Sequence, residues 1–155
     1  MTGRLVAIYT TTTGGEPMNG HDEIRAIAGA GLGGDRYATK LGEYSERGGP
    51  GREVTLIARE AIAAANERGV TIGEDETRRN LVTEGVDLAN LIGKTFAVGE
   101  AVLVGVRACP PCAYLEEVTR PGVKAALEGG DSLRADVVRD GTLRVGDEIV
   151  EVGAA

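Results

Sequence analysis

Short stretches in which apolar and polar residues alternate recur along the chain and predict a protein built mainly from β-strands. A period of two places every second side chain on the same face of a strand, so that one face can be buried. The segments that carry this pattern and are rich in β-forming residues are residues 4–10, 23–28, 52–57, 80–83, 95–98, 101–106, 134–139 and 143–152.

Glycines interrupt the strand pattern where the chain is expected to change direction. Gly99 lies between the strands predicted at residues 95–98 and 101–106, and Gly146 divides residues 143–152 in the same way. The backbone is expected to bend sharply at both glycines. Asp140 and Gly141 follow the strand at residues 134–139 and give a strong hairpin signal.

Helical patterns are fewer. Residues 58–68 combine high helix propensity with one apolar face and are followed by Gly69, so they predict a helix packed on a sheet. A shorter helix is expected over residues 121–127. About eight strands that do not alternate regularly with helices argue against βαβ units, and closure of the sheet would leave no unpaired edge. We therefore predict a mostly β (α+β) fold, a closed β-barrel with a few short peripheral helices, as one domain over residues 1–155.

Composition and charge narrow the function classes. The 155 residues are 42% hydrophobic and 26% charged, which is typical of a globular protein, and the formal net charge is −7. This charge argues against a general nucleic-acid binder and against a polybasic membrane anchor. The sequence has neither a signal-peptide pattern nor an apolar stretch of about 20 residues. We expect a cytoplasmic protein with no nucleic-acid or membrane partner.

The candidate chemistry lies at residues 107–116, R-A-C-P-P-C-A-Y-L-E, which follow a predicted strand and precede a predicted helical turn. The two prolines fix φ and hold both thiols on a stiff segment. A zinc site is disfavoured because only His21 could join Cys109 and Cys112 as a nitrogen or sulfur ligand. A thioredoxin-like dithiol has the right local context, but mostly strands follow Cys112.

Two other interpretations of the thiols remain open. One cysteine works as a thiolate, either as ligand of a soft transition metal or as carrier of a persulfide. Alternatively, both thiols are structural, because free cysteines are often small buried hydrophobes.

Two further segments have both a structural and a functional interpretation. Residues 29–34, G-A-G-L-G-G, form either tight turns with positive φ or a loop whose N–H groups approach an anion. Arg78 and Arg79 are either a solvated pair that answers the acids at residues 74–76, or a clamp for phosphate or carboxylate. Residues 37–51 predict a mobile surface loop of the kind that often covers a site.

Six blocks of sequence, taken in order, resemble a known family. They are G-L-G-G-D-R-Y-A at 31–38, R-E-V-T-L-I at 52–57, R-R-N-L-V-T-E-G-V-D-L at 78–88, V-G-E-A-V-L at 98–103, C-P-P-C-A-Y-L-E at 109–116 and L-R-V-G-D-E-I at 143–149. This order and spacing resemble the MOSC domain, named for the C-terminal domain of molybdenum-cofactor sulfurases. The resemblance covers nearly the whole chain and implies a standalone bacterial-type MOSC protein with a β-barrel fold.

The resemblance also implies a ligand and a set of site residues. The ligand is the pterin-based molybdenum cofactor, molybdopterin. The family's functional cysteine maps to Cys112, which is the molybdenum ligand in amidoxime-reducing relatives and is thought to accept sulfur in sulfurase-type members; Cys109 receives no essential role. By motif position, the residues implied in cofactor binding are Gly34, Asp35, Arg36, Arg52, Thr55, Arg78, Arg79 and Asn80.

Three functions follow from this resemblance. In the first, Cys112 is catalytic and ligates molybdenum for the reduction of small N-hydroxylated compounds, with electrons from an external donor because no flavin or haem motif is visible. In the second, Cys112 carries a persulfide from a cysteine desulfurase to metal–sulfur cofactor assembly, since the chain has no room for the sulfurase's own pyridoxal-phosphate domain. The third is storage or delivery of the cofactor without chemistry. The chain also lacks the extra N-terminal β-domain of the amidoxime-reducing enzymes, so their substrates do not carry over directly.

Overall fold

The computed structural model describes residues 3–39 and 49–154, and strands dominate it. The strands are β1 (Gly3–Thr10), β2 (Asn19–His21), β3 (Glu23–Ile27), β4 (Gly31–Leu32), β5 (Val54–Ala58), β6 (Leu81–Glu84), β7 (Lys94–Val98), β8 (Ala101–Ala108), β9 (Ser132–Arg139), β10 (Gly141–Arg144) and β11 (Glu148–Ala154). The helices are α1 (Arg36–Thr39), α2 (Arg59–Glu67), α3 (Ala113–Val118) and α4 (Val123–Leu127), with single 3-10 turns at Asp75–Thr77 and Leu88–Leu91. The predicted mostly β fold is confirmed.

Seven strands form a closed barrel in the order β11-β7-β8-β9-β5-β6-β1. The last pairing, β1 with β11, closes it through Gly3 opposite Ile149 and Arg4 opposite Glu148. Neighbouring strands are antiparallel except β5 and β6, which run parallel and are joined by α2. A separate three-stranded sheet, β10-β3-β4, lies beside the barrel, and β2 pairs with β1.

Aliphatic side chains fill the core, as the shortage of aromatic residues requires. The single phenylalanine, Phe96, is fully buried on β7, and β8 alternates buried and half-buried positions as a strand with one face inward should. All five residues of β5 are buried, because α2 covers the outer face of this part of the sheet. Nowhere in residues 3–39 and 49–154 does a helix have the length and apolar character needed to cross a membrane.

The predicted hairpin at Asp140 and Gly141 is wrong. The strands on either side of this dipeptide do not pair: β9 lies between β8 and β5, whereas β10 pairs with β3. Asp140 instead accepts a hydrogen bond from the backbone N–H of Ala28 at 2.6 Å, and a side chain at Gly141 would collide with the backbone of Glu100. Asp140 and Gly141 therefore form a tight connection between the barrel and the small sheet, and not a turn between two paired strands.

The two glycine corners follow the sequence prediction more closely. Gly99, with φ of 55°, lies in a two-residue connection that leaves Val98 opposite Ala101 across the β7–β8 hairpin. Gly146, with φ of 100°, lies where the chain leaves the small sheet for the barrel, and its N–H donates to Leu5 O at 2.7 Å.

The helices also agree with the predictions to within two residues, while several small elements were not foreseen. The helix predicted at residues 58–68 is α2, followed by Gly69 at φ of 92°, and the helix predicted at 121–127 is α4. The unforeseen elements are β2, β4 and α1. Of the surface loop predicted at residues 37–51, residues 40–48 lie outside the described part of the chain, and Tyr37 is a buried residue of α1.

Candidate functional site

A cavity of about 520 Å³ gathers cationic side chains around Cys112. Its walls come from the loop between β1 and β2, from α1, from the segments that precede β5 and β6, from the ends of β8 and β9, and from the start of α3. Among the described residues, six arginines line it, namely Arg36, Arg52, Arg78, Arg79, Arg107 and Arg134, together with two tyrosines, Tyr37 and Tyr114. In a chain with a formal charge of −7, this concentration of positive charge marks a site for an anionic ligand.

Cys112 reaches the cavity because β8 ends just before the two prolines. Residues 109–112 contain neither a turn nor a bend, and Cys112 is the extended N-cap residue of α3, with φ of −129° and ψ of 170°. A residue that precedes proline is restricted to extended conformations, so the sequence C-P-P itself enforces this shape. Cys112 is half-buried at the cavity wall, whereas the side chain of Cys109 is 1% exposed in the core.

This extended segment keeps the two thiols apart. Three residue steps of extended, proline-rich chain span roughly 9 Å. Cysteines whose Cα atoms are more than about 7 Å apart cannot form a disulfide without backbone movement. The dithiol interpretation of the sequence therefore lacks its geometric basis, and both cysteines are free thiols.

Arg79 uses most of its hydrogen-bond donors to fix the cysteine segment, residues 109–112. Its Nη2 donates to Cys109 O at 3.0 Å and to Pro110 O at 3.2 Å, and its Nε donates to Ser132 Oγ at 3.2 Å. Nη1 donates to Thr77 O at 3.2 Å. The guanidinium lines the cavity with its charge, but its hydrogen bonds hold protein backbone in place.

Arg78 is different, because one of its donors has no partner among the described residues. The residue lies in the left-handed region at φ of 59°, and its Nη1 donates to Glu16 O at 2.7 Å. Its Nη2 is buried and makes no hydrogen bond within the part of the chain that the structure describes. Burial, and then repulsion by Arg36, lower the pKa of Arg78 from its ordinary value. A buried unsatisfied guanidinium nitrogen is costly, and an anion in the cavity would satisfy it.

The acids at residues 74–76 do not neutralise this arginine pair. Glu74 accepts from Arg59 Nε at 2.9 Å, and the carboxylate of Glu76 accepts from Arg120. No ion pair within the described residues joins Arg78 or Arg79 to a carboxylate. The interpretation of the pair as surface charges answering nearby acids is therefore wrong.

Arg36 is held at the cavity by Asp35, which is completely buried behind it. The two side chains form an ion pair at 3.2 Å, and Asp35 also accepts from the backbone N–H of Thr11 at 3.1 Å. Arg36 stacks 4.5 Å from the ring centre of Tyr37, and its Nη2 donates to Arg78 O at 2.8 Å. Asp35 therefore positions a cavity residue but does not line the cavity itself.

Asn80 and Thr55 also lie behind the site. The side-chain oxygen of Asn80 accepts from Thr55 N at 3.0 Å, and its Nδ2 donates to Tyr9 O at 3.1 Å, so these bonds join β5 and the start of β6 to β1. Both residues are fully buried, at 0% and 1% exposure.

The glycine run at residues 29–34 forms turns, as its structural interpretation requires. Gly29, Gly31 and Gly34 have φ of 77°, 123° and 78°. A Cβ on Gly31 would lie 2.5 Å from Glu53 O, so this position accepts only glycine. None of the three lines the cavity.

Five of the nine site residues predicted from the sequence thus lie in the cavity wall. Four further charged or aromatic residues of the wall were not predicted. The predicted residues in the wall are Cys112, Arg36, Arg52, Arg78 and Arg79. Asp35, Thr55 and Asn80 are buried behind it, and Gly34 lies in an exposed turn outside it. The missed residues are Arg107, Arg134, Tyr37 and Tyr114. Arg107 and Tyr114 belong to the same stretch as Cys112, which was the available signal, whereas Arg134 reaches the cavity only through strand pairing.

The described residues do not form a metal site around the thiol of Cys112. Within residues 3–39 and 49–154, no three His, Cys, Asp or Glu side chains are close enough to share a metal ion. The lone histidine, His21, lies 2.7 Å from Thr10 Oγ1 on β2 and β1 and is not part of the cavity wall.

Comparison with known proteins identifies the family. The model of the MOSC domain matches residues 43–150, more than half of the chain. A search of curated proteins finds no match. Among solved structures, YuaD from Bacillus subtilis is similar with a TM-score of 0.80 at 22% identity, and the match covers 100% of this chain and 97% of that chain.

Two structures of YiiM are similar at lower scores. YiiM from Geobacillus stearothermophilus gives a TM-score of 0.73 at 16% identity, covering 97% of this chain and 75% of that chain. YiiM from Escherichia coli gives 0.68 at 20% identity, covering 98% of this chain and 71% of that chain. These likenesses show a shared fold, and the family match extends over most of the barrel and the cysteine segment. The chain belongs to the MOSC domain family.

Proposed function

We propose that this protein binds the pterin-based molybdenum cofactor in its arginine-lined cavity, with Cys112 as the protein ligand to molybdenum. The observation that carries the proposal is the association of one half-buried thiol with six arginines in an acidic chain. Membership of the MOSC family supports it, because MOSC domains are associated with this cofactor.

The residues present fit the chemistry of the cofactor. Its phosphate is an oxyanion, and Arg78 offers a buried Nη2 with no partner among the described residues. Arg36 is close enough to Arg78 for its charge to lower the pKa of Arg78. Binding an anion there would satisfy the orphaned donor and relieve the repulsion between the two arginines. Its molybdenum is a soft metal that accepts a thiolate, and Cys112 is the half-buried thiol of the cavity wall. Arg36 and Arg78 would therefore hold the phosphate, and Cys112 would hold the metal.

The reaction proposed for the site is the reduction of small N-hydroxylated compounds. The N–O bond of the substrate breaks, the nitrogen gains a hydrogen, and the oxygen leaves as water, with two electrons and two protons consumed. The bound cofactor supplies the two-electron oxygen-atom chemistry. The chain itself anchors the thiolate through Cys112, fixes its segment through Arg79 and neutralises anionic charge through the other arginines. The electrons come from an external donor protein.

Molybdenum analysis of protein from a host that makes the cofactor tests this proposal. We expect about one molybdenum per chain in the wild type and in Cys109→Ala, and none in Cys112→Ser. Cys109→Ala is the matched control because it removes the other, buried thiol of the same segment. Retention of molybdenum in Cys112→Ser would rule out the thiolate ligand, and absence of molybdenum from the wild type would rule out the cofactor.

A second function, sulfur transfer through a persulfide on Cys112, is favoured by the separation of the two thiols. A neighbouring thiolate that reached Cys112 would attack the inner sulfur of the persulfide, form a disulfide and release the outer sulfur as hydrosulfide, but the extended segment keeps Cys109 away. The sulfur would come from a cysteine desulfurase. Mass spectrometry after incubation with such an enzyme and free cysteine should show one added sulfur atom on Cys112 and none in Cys112→Ser. An unmodified wild-type chain would argue against sulfur transfer.

A further inference from the structure

Arg107 and Arg134 are direct cross-strand neighbours, which is an unfavourable arrangement for two cations. In the β8–β9 ladder, the Cα atom of Arg107 is paired with that of Arg134. Like charges directly opposite each other destabilise a sheet, whereas most surface positions avoid such pairs. Both arginines line the cavity that contains Cys112. A locally unfavourable pair at a site wall indicates that something other than sheet stability maintains it.

Both arginines bond to the backbone of the residues that precede β5. Arg107 Nη1 donates to Pro50 O at 2.8 Å, and Arg134 Nη1 donates to Gly51 O at 3.3 Å. The nearby carboxylate of Asp136 accepts from the backbone N–H of Gly51 at 3.0 and 3.1 Å. Within the described residues, no carboxylate lies within ion-pair distance of Arg107.

This pair is distinct from the arginines assigned to the cofactor's phosphate. Arg36 and Arg78 are joined to each other by the 2.8 Å bond from Arg36 Nη2 to Arg78 O and belong to α1 and the segment before β6. Arg107 and Arg134 belong to the paired ends of β8 and β9 and are tied to Pro50 and Gly51. The cavity therefore contains two pairs of arginines on different elements of the fold.

We infer that Arg107 and Arg134 form a second oxyanion subsite, and that its occupant is a carboxylate or phosphate group of the substrate. Two guanidinium forks facing one cavity match the geometry of such groups. The subsite would select, among N-hydroxylated compounds, those that carry an anionic group at a distance from the N–O bond. The identity of the substrate rests on the proposed function, but the existence of the second anion subsite does not.

Titration of cofactor-free protein with inorganic phosphate, followed by calorimetry, tests the subsite itself. We expect two phosphates per chain in the wild type and one in Arg107→Gln. The double variant Arg36→Gln/Arg78→Gln should also bind one phosphate, at the remaining pair. Arg139→Gln, on an exposed position of the same strand as Arg134, is the matched control and should bind two. Binding of no phosphate by the wild type, or of equal numbers of phosphates by the wild type and Arg107→Gln, would refute the subsite.

Arg107→Lys provides a second, milder variant that keeps the charge and removes the planar fork. It should retain two phosphates but bind the weaker one roughly tenfold less tightly, the loss typical of a charged hydrogen bond. Thermal unfolding of each variant shows whether it is folded. If Arg107→Gln does not fold, the lysine variant decides: unchanged affinities at both phosphates would overturn the inference.

The occupant is tested with holoenzyme and a matched pair of substrates, benzamidoxime and 4-carboxybenzamidoxime. The wild type should prefer the carboxylated compound in kcat/KM, and Arg107→Gln should lower this preference roughly tenfold. An unchanged preference would refute the substrate assignment. Release of one nucleotide per chain on acid hydrolysis would refute it as well, because a dinucleotide form of the cofactor would then supply the second anion. Absence of molybdenum from the wild type would refute the proposed function. The subsite would then still be tested by the number of phosphates that each variant binds.

Discussion

At the scale of single residues, Arg79 shows how a charged side chain in a cavity wall can hold the backbone of the site in place. Its guanidinium connects the end of β8, the start of β9 and its own preceding turn through four hydrogen bonds. Two of those bonds reach the carbonyl groups of Cys109 and Pro110, just ahead of Cys112. Arg79 is therefore a positioning residue for the thiol.

Replacing Arg79 by methionine should loosen the cysteine segment. The variant leaves carbonyl groups without donors, so we expect the free energy of unfolding to fall by roughly 1–3 kcal/mol. Buried Cys109 should also become reactive towards iodoacetamide in the folded protein, which peptide mass mapping detects. The exposed-site variant Arg139→Met is the control and should change neither quantity. Protection of Cys109 equal to that in the wild type would show that Arg79 does not fix the segment.

The pair Glu76 and Arg120 should contribute to stability in a defined range of pH. Hydrogen bonds from Arg120, and then from the backbone N–H of Gly73, lower the pKa of Glu76 below its ordinary value of 4.5. A carboxylate with a lowered pKa in the folded state stabilises the fold above its unfolded pKa, and this contribution is lost as the pH falls through the folded value. Urea titrations from pH 6 down to pH 3 should show a smaller acid-dependent loss in Glu76→Gln than in the wild type. Parallel curves would contradict this assignment.

The residues of the site were predictable from the sequence only where a local motif carries them. Cys112, Arg78 and Arg36 were found because each lies in a recognisable block. The same blocks also led to Asn80 and Thr55, which bond to each other behind the cavity, because a motif gives spacing but not the direction of a side chain. Arg134 was missed because its place opposite Arg107 depends on the register between β8 and β9.

At the scale of elements, close contact between the 3-10 turn Leu88–Leu91 and β8 depends on one glycine. A Cβ on Gly105 would overlap the carbonyl oxygen of Leu91, and Gly105 O accepts from Gly93 N at 2.9 Å. The turn and the strand therefore meet backbone to backbone, and neither can shift without breaking this contact.

Gly105→Ala should destabilise the protein strongly. The added methyl group meets backbone rather than a movable side chain, so we expect a loss of roughly 3 kcal/mol, at the upper end of overpacking costs. Chemical denaturation followed by circular dichroism measures it. Gly20→Ala is the matched control, because Gly20 is exposed and its nearest neighbour would be 3.5 Å from the new Cβ. Equal midpoints for the two variants would contradict the close contact.

Helices and strands with a strong local sequence signal were predictable, whereas the pairing of one strand with another was not. Alternation and propensity located β1, β7, β8 and α2 to within two residues. Asp140 and Gly141 gave a hairpin signal, yet β9 and β10 belong to different sheets. A turn signal describes the bend of the chain, whereas pairing depends on which apolar faces meet in the core.

At the scale of the whole molecule, the barrel depends on its last strand. β11, the last strand in the chain, pairs with both β7 and β1 and so closes the sheet. The closed barrel itself was predictable, since many short strands and few helices leave little else that avoids open edges.

Removal of β11 should therefore abolish cooperative folding. A chain that ends at Asp147 would leave β7 and β1 with unpaired edges and expose the core, so we expect a broad urea transition and binding of the dye ANS. A chain that ends at Val152 keeps Ile149 opposite both Val98 and Gly3 and is the control. A sharp transition in the shorter chain would show that the open sheet is stable without closure.

The extended C-P-P-C segment has a consequence for how the protein responds to peroxide. Most reactive cysteines with a neighbour in a C-x-x-C sequence are protected, because a sulfenic acid condenses with the second thiol and is later reduced. Cys109 lies too far from Cys112 to do this. A sulfenic acid on Cys112 would therefore wait for a small thiol such as glutathione, or continue to the irreversible sulfinic and sulfonic acids. A ligand bound in the cavity would then also protect the thiol of Cys112 from oxidation.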